Sequence, residues 1–298
     1  MRYIGSKTKL LKNIENIIKD NTKNCNFFFD MFGGTGIVGK YFKKHFEISS
    51  NDIMFYSYVL INGNVENNIK PEFKNLKEKH NIVDVIKYLN ELNKEYNEEN
   101  YIITNNYTQK KSERMYFTIE NGIKIDSIRQ EIEKWKKEQL IDYKEYFYLI
   151  ALLIEAVPYV SNITGTYGAF LKNWDKRSFK TLELKELELI DNNKNNRTYN
   201  ENANNLIKTI SGDILYIDPP YTNIEYSSAY HVLESIAKYD NVEIKGITGQ
   251  RIYNDKKSKY CKRKEAKQAL LNLIKDANFR YIVISYIDIL PTAKAGGF

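Results

Sequence analysis

Phe27-Phe28-Phe29-Asp30-Met31-Phe32-Gly33-Gly34-Thr35-Gly36-Ile37-Val38-Gly39 decides how the rest of the chain is read. The three aromatic residues predict a short buried strand ending at Asp30. Gly33-Gly34-Thr35-Gly36 predicts a tight turn, and Ile37 to Lys44 carries the spacing of a helix. A second short strand, Glu47 to Ser50, ends at Asn51-Asp52. Upstream, Leu10, Leu11, Ile14, Ile17 and Ile18 recur at helical spacing over residues 10–19. Helix, strand, glycine turn, helix and strand in that order predict a β-α-β unit and an α/β fold.

The same pattern returns near the other end. Ile214-Leu215-Tyr216-Ile217 is an apolar strand that runs into Asp218-Pro219-Pro220-Tyr221. Tyr230 to Lys238 and Ala266 to Ala277 read as helices, and Tyr281 to Tyr286 as a strand. Between the two ends the chain changes character. Residues 71–98 and 123–155 are helical by pattern, 101–107 are an ambiguous polar stretch, and 162–180 are irregular. The simplest organisation is one discontinuous α/β domain, 1–60 with 201–298, and a mainly helical insertion at 61–200.

Composition narrows the classes. The 298 residues are 42% hydrophobic and 28% charged, a globular balance large enough for a substantial core. No apolar run approaches a membrane span, and no apolar signal region follows Met1, so export and membrane insertion are not expected. Cys25 and Cys261 stand alone and the three His residues are scattered. Neither a disulfide scaffold nor a resident metal is therefore expected. The net charge of +7 is uneven: residues 1–60 carry +4, 61–200 carry zero and 201–298 carry +3. Nine of the basic residues fall between Lys245 and Lys267, interleaved with Tyr253, Tyr260, Gly246 and Gly249. Such a stretch suits a phosphate backbone, and equally a solvated surface loop.

Gly34-Thr35-Gly36-Ile37-Val38-Gly39 matches G-x-G-x-x-G between a strand and a helix, and Asp52 follows where a ribose-binding acid belongs. Alone this says only that an adenosine-containing cofactor fits; a nicotinamide dehydrogenase satisfies it as well as a methyltransferase does. Asp30 tilts the choice. A carboxylate just ahead of the glycines opposes a pyrophosphate but suits an α-amino group, such as that of S-adenosylmethionine.

Asp218-Pro219-Pro220-Tyr221 carries the chemistry. The exocyclic amine of adenine is a poor nucleophile because its lone pair is delocalised into the ring. A carboxylate that accepts one amine proton, with the Pro219 carbonyl accepting the other, localises that pair. Two prolines hold these acceptors in place. Tyr221 offers a flat face for a flipped base.

These motifs together resemble the Dam-like adenine-N6 DNA methyltransferases of alpha motif order. Within them the chain is similar to the methylases of Type II restriction–modification systems, which carry stretches like Gly165 to Lys172 and Tyr226 to His231. The resemblance implies a doubly wound, mostly parallel Rossmann-like methyltransferase sheet with an inserted target-recognition region at 61–200. It implies S-adenosylmethionine bound by Tyr3, Gly5, Ser6 and Lys7 of the opening motif, by Asp30, Phe32, Gly33, Gly34 and Gly36, by Asp52 and by Asn202. Family members often carry an acid where Asn202 stands, so weaker binding of the cofactor adenine is expected. Asp218, Pro219, Pro220 and Tyr221 become the catalytic set. The partner becomes double-stranded DNA, contacted by Lys172, Arg177, Arg251, Lys256, Lys257, Lys262 and Arg263. A cytoplasmic location and a cognate restriction endonuclease accompany that reading. The family's sheet also adds a β-hairpin after the strand ending at Tyr286. Residues 287–298 do not resemble one, so an uncovered edge, low stability and self-association are expected. Two rival classes are a DNA-binding relative without turnover and a methyltransferase of this fold acting on RNA or protein. The intact Asp218 speaks against the first, and the large insertion with its basic loop against the second.

Overall fold

A computed structural model describes residues 5–220, 224–252 and 258–286. The N-terminal half runs α1 (Leu11–Asn21), β1 (Phe27–Asp30), α2 (Ile37–Phe42), β2 (Glu47–Asn51) and α3 (Phe55–Ile61), the last continued by a wider turn over Asn62–Glu66. Five helices follow: α4 (Lys74–His80), α5 (Val85–Glu91), α6 (Ile102–Tyr107), α7 (Ile119–Lys137) and α8 (Tyr143–Ala156). Then come β3 (Arg197–Tyr199), α9 (Ala203–Leu206), β4 (Ser211–Ile217), α10 (Tyr226–Ala229) and α11 (His231–Lys238). A small hairpin of β5 (Ile244–Lys245) and β6 (Gln250–Arg251) precedes α12 (Ala266–Lys275) and β7 (Asn278–Ile284).

The main sheet has the order β3-β2-β1-β4-β7, and every pairing in it is parallel. Parallel strands need both faces covered, and the side-chain alternation of β1 and β4 meets that need. Phe28, Ile214 and Tyr216 face one way, onto Leu11, Ile14 and Ile18 of α1 and Val38 and Phe42 of α2. Phe29, Leu215 and Ile217 face the other way, onto Leu206 of α9 and Ala269 and Leu273 of α12. This is the doubly wound α/β arrangement expected. Among the described residues β7 pairs with β4 alone and forms one edge. The expected fate of 287–298 lies outside the described residues.

Three boundaries differ from expectation. Residues 197–199, placed in the insertion, form β3 and pair with Ser49 to Asn51. The helical stretch 123–155 is two helices. Gln139 takes a left-handed φ of 56° between them, and Asp142 starts α8 with a reciprocal capping box to Glu145. The intervening helices also do not pack alone. One continuous core joins Val59 of α3, Ile128 of α7, Leu149 to Leu153 of α8 and Val232, Leu233 and Ile236 of α11. Helix α11, which follows Asp218-Pro219-Pro220 in the chain, thus completes the core built by α3, α7 and α8.

Candidate active site

Strand order, not chain order, assembles the site. β2, β1 and β4 are neighbours, and an acid stands at the C-terminal end of each: Asp52 just after β2, Asp30 at the end of β1 and Asp218 just after β4. Ligands of open α/β sheets bind in the crevice beyond these strand ends, where the strand order reverses. One cleft there is lined by Gly5, Ser6, Lys7, Phe32, Gly33, Gly34, Asp52, Asn202, Asp218 and Pro220, all read from the sequence as site residues. Gly36 and Pro219 stand beside it without lining it, and Asp30 lies behind its wall. Tyr3, Tyr221, Lys256 and Lys257 fall outside the described residues.

Asp30 is 1% exposed, and neither of its carboxylate oxygens meets a donor in good hydrogen-bond geometry among the described residues, although the backbone N–H groups of Phe32 and Gly39 stand near enough to favour its charged form. Burial, with Asp218 and Asp52 nearby, pushes its pKa up to about 8. A buried carboxylate is costly unless something cationic completes it. Asp52 is differently employed. It accepts hydrogen bonds from Gly34 N at 2.9 Å and Met54 N at 2.8 Å, which ties the glycine turn to the loop after β2. Gly36 begins α2 with a left-handed φ of 78°, a conformation that glycine takes without steric cost. The residues present therefore fit S-adenosylmethionine: a carboxylate that lacks a cation, an acid at the ribose position and a turn open to close approach.

Lys7, expected among the cofactor residues, lines the cleft next to Asp218. Its ammonium lies 2.9 Å from Oδ1 of Asp218, and both side chains are largely buried. Burial pushes the Asp218 pKa up to about 6, and Lys7 pulls against that rise. Asn202 caps α9, its Oδ1 accepting from Asn204 N at 3.0 Å. It lines the cleft all the same, so the oxygen read as a partner for the cofactor adenine already has a backbone donor.

The residues expected to contact DNA divide. Lys172, Lys262 and Arg263 are exposed. Arg251 is not: its side chain is 4% exposed and makes paired bonds to Asp240 at 2.7 and 2.8 Å. It anchors the β5–β6 hairpin, and the expected phosphate contact is withdrawn. Arg177 donates to the Ile163 carbonyl and stands 3.5 Å from Asp175, holding its own loop together. A basic residue in a basic stretch reads the same whether it faces water or an acid, so sequence reasoning did not separate these cases.

Several cleft residues were missed. Asn51 donates from Nδ2 to the carbonyls of Met31 and Glu201 at 3.2 and 3.1 Å and accepts from Glu201 N at 3.0 Å, clipping two cleft walls together. Glu225, Tyr226 and Ser227 close the cleft beside Asp218, and Ser258, Lys259 and Tyr260 bring the basic stretch to its mouth. Tyr226 and Ser227 lay within a stretch singled out by resemblance; for Ser258 and Tyr260 the only signal was the basic loop. Among the described residues no helix is long and apolar enough to cross a membrane, and no group of three or more potential ligands could hold a metal.

A doubly wound parallel sheet thus brings Asp30, Asp52 and Asp218-Pro219-Pro220 together around one cleft. The family model for D12 class N6 adenine-specific DNA methyltransferases matches residues 3–292, and the chain belongs to that family. It is 50% identical over 96% of its length to the Type II methyltransferase M.FokI of Planomicrobium okeanokoites, of which it covers 44%. It is 42% identical to the modification methylase StsI of Streptococcus sanguinis, again over 96% of this chain and 44% of that one. With the Type II methyltransferase M.NlaIII of Neisseria lactamica it shares 40% identity over 96% of this chain and 83% of that protein. The chain thus spans less than half the length of the first two relatives.

Proposed function

We propose that the protein methylates the exocyclic amine of adenine at specific sites in duplex DNA, using S-adenosylmethionine, as the protective partner of a restriction endonuclease. The observation that carries this reading is Asp218-Pro219-Pro220 at the end of β4, near the buried Asp30, which lacks a cationic partner among the described residues. S-adenosylmethionine, where bound, supplies an electrophilic methyl carbon. Asp30 would hold its ammonium group, Asp52 its ribose and the Gly33–Gly36 turn its closest approach to the backbone.

The chain's own work falls on the target amine. Asp218 accepts one amine hydrogen and the Pro219 carbonyl the other, so the nitrogen lone pair turns toward its electrophile. The nitrogen must shed one proton during the reaction, and Asp218 is placed to take it and pass it to water. Lys7 supports this by holding the carboxyl of Asp218 in its charged form despite burial. The prolines remove backbone freedom where it would blur the acceptor positions. Residues 61–200 supply target recognition, with Lys172 on that segment facing solvent. Tyr221 stacks on the extruded base, and Lys256, Lys257, Lys262 and Arg263 neutralise phosphates. Such an enzyme works on DNA in the cytoplasm.

Incubation with labelled S-adenosylmethionine and unmethylated duplex DNA tests the reading. Label on the N6 position of adenine at a fixed sequence is the expected result. Label in RNA or protein and none in DNA overturns it.

A further inference from the structure

Among the described residues Ile247 is the most exposed large hydrophobic side chain, at 84%. A single exposed apolar residue is ordinary on protein surfaces. What distinguishes this one is its mounting. It sits at the tip of the β5–β6 hairpin, in Gly246-Ile247-Thr248-Gly249, and side chains of the protein body hold all four tip carbonyls. Arg114 donates from Nη2 to Gly246 O at 2.9 Å and from Nε to Ile247 O at 3.0 Å. His231 Nε2 stands 2.8 Å from Thr248 O. The Tyr107 hydroxyl donates to Gly249 O at 3.1 Å. Gly249 is needed there twice over. Its φ is 68°, and an added Cβ would lie 2.7 Å from Nε of Arg114. Hairpin tips in water do not need such fixing, because solvent satisfies their carbonyls.

The mounting is also registered to the active cleft. The other ring nitrogen of His231, Nδ1, stands 2.9 Å from Ser228 O. Ser228 belongs to α10, whose Tyr226 and Ser227 line the cleft that holds Asp218. One buried imidazole therefore lies between the hairpin tip and the cleft wall, against a carbonyl of each, and as a neutral ring donates to one of the two. Lys245 flanks the tip and is exposed, and Lys259, Lys262 and Arg263 follow along the chain. A stiff apolar point held by the Arg114 guanidinium and flanked by Lys245, which also stands 3.8 Å from Glu243, suits a duplex whose bases must be parted. Separating one base step costs a few kcal/mol, and apolar side chains such as Ile are the usual wedges. A wedge that is already ordered loses little entropy on entry.

We propose that Ile247 enters the base stack of duplex DNA and drives the target adenine out toward Asp218. This rests on the DNA-adenine reading above and adds to it the residue that opens the helix. The test uses the full chain and two synthetic duplexes carrying its target sequence, mapped beforehand from methylated genomic DNA. One duplex is fully paired. The other has an abasic position opposite the target adenine, so the base is already loosened. Ile247→Ala should lower kcat/KM on the paired duplex by about tenfold or more, from the loss of part of the unstacking energy. On the loosened duplex the loss should shrink to about twofold, since the step that needs the wedge is already made. Ile247→Phe, a larger wedge, should retain activity on both. With 2-aminopurine at the target position, fluorescence on binding should rise for the parent protein and less for Ile247→Ala. Equal losses on both duplexes, or no loss on either, would overturn the wedge while leaving the DNA reading intact. The second of those results is also what a protein-contact role for Ile247 would give. A parent protein that methylates no DNA at all overturns both.

Discussion

Asp30 and Asp126 are both buried carboxylates, one at the C-terminal end of the central strand β1 and one in the helical layer, and their surroundings differ. Asp126 on α7 accepts from Ile103 N at 2.9 Å, Thr104 N at 2.7 Å, Thr104 Oγ1 at 2.6 Å and the Tyr239 hydroxyl at 2.8 Å. It satisfies the first turn of α6, where backbone donors would otherwise be orphaned. Asp30 has no side-chain donor and no well-aligned one among the described residues, only the weaker pull of the Phe32 and Gly39 backbone N–H groups. Burial raises both pKa values, to about 6 for Asp126 and about 8 for Asp30. Four well-formed donors restrain the rise of Asp126, whereas around Asp30 the backbone N–H groups of Phe32 and Gly39 are outweighed by burial and by the neighbouring acids Asp218 and Asp52. A carboxylate that a fold uses for itself is completed by that fold, while one kept for a ligand is left incomplete. Asp218 lies between the two cases, buried but matched by a single cation, Lys7.

The largest effect should come from Asp218. Asp218→Asn keeps the shape but removes the charge, and methyl transfer should fall by about 10³-fold or more. Cofactor affinity in the same variant should stay within about tenfold, because the carboxylate acts on the target amine. Calorimetry showing cofactor binding lost together with turnover would place Asp218 on the wrong ligand.

Asp126→Ala should act on stability instead. It leaves two backbone N–H groups and two hydroxyls without their acceptor, each worth about 1–3 kcal/mol, and a total near 3 kcal/mol is expected after relaxation. Urea unfolding measures it, and a cost below about 1 kcal/mol would remove the contrast with Asp30.

Asp30→Asn should do the reverse. The folded pKa of Asp30 lies above its unfolded value, so the fold binds the extra proton between roughly pH 4 and pH 8. Stability of the cofactor-free protein is thus full below that window and falls as pH rises through it, by at most about 1.4 kcal/mol per pH unit from this group. Asn carries no such penalty. The variant should melt higher than the parent at pH 8, and it should lose the upward shift in melting temperature that S-adenosylmethionine gives the parent. A parent protein more stable than Asp30→Asn at pH 8 would show that the carboxylate is satisfied after all.

Lys7→Met tests the intermediate case. Without the ammonium, Asp218 should titrate at higher pH, so the acidic limb of the turnover profile should move toward alkaline pH. Raising the pH should restore part of the activity. An unmoved limb with uniformly low turnover would return Lys7 to a cofactor role.

The smallest effect belongs to the basic stretch. Neutralising Lys256, Lys257, Lys262 and Arg263 should weaken binding to all DNA sequences alike and lower the salt slope by about one per lost phosphate contact. An unchanged slope would make the stretch a solvated surface. Lys262 already stands 3.0 Å from Glu265, so its contribution should be the least.

The sequence read well wherever a local pattern carried the meaning. The β1 strand, the glycine turn and α2 are contiguous, and their apolar runs and left-handed turn are properties of adjacent residues. The same holds for β4 running into Asp218-Pro219-Pro220. It read poorly where the meaning lay across the chain. β3 is three residues amid Asn and Lys, and only pairing with Ser49 to Asn51 makes it a strand. Helix α11 looked like part of the α/β frame, yet its apolar face completes the helical core. The hairpin that carries Ile247 has no alternating run to announce it; buried Tyr107 and His231 and half-buried Arg114 hold it from a distance.

What the sequence alone determined is which acids end which strands and which backbone is stiffened beside them, because strand periodicity, glycine turns and proline geometry are local. What only the tertiary structure decided is the company those acids keep. The order β2-β1-β4 places Asp52, Asp30 and Asp218 in one crevice although β4 is remote in the chain. The approach of Arg251 to Asp240 takes up a cation that the sequence had read as a DNA contact, and that of Lys7 to Asp218 gives an expected cofactor residue an acid partner. Electrostatic partnership depends on distance through space and on exclusion of water, and neither is a property of sequence spacing.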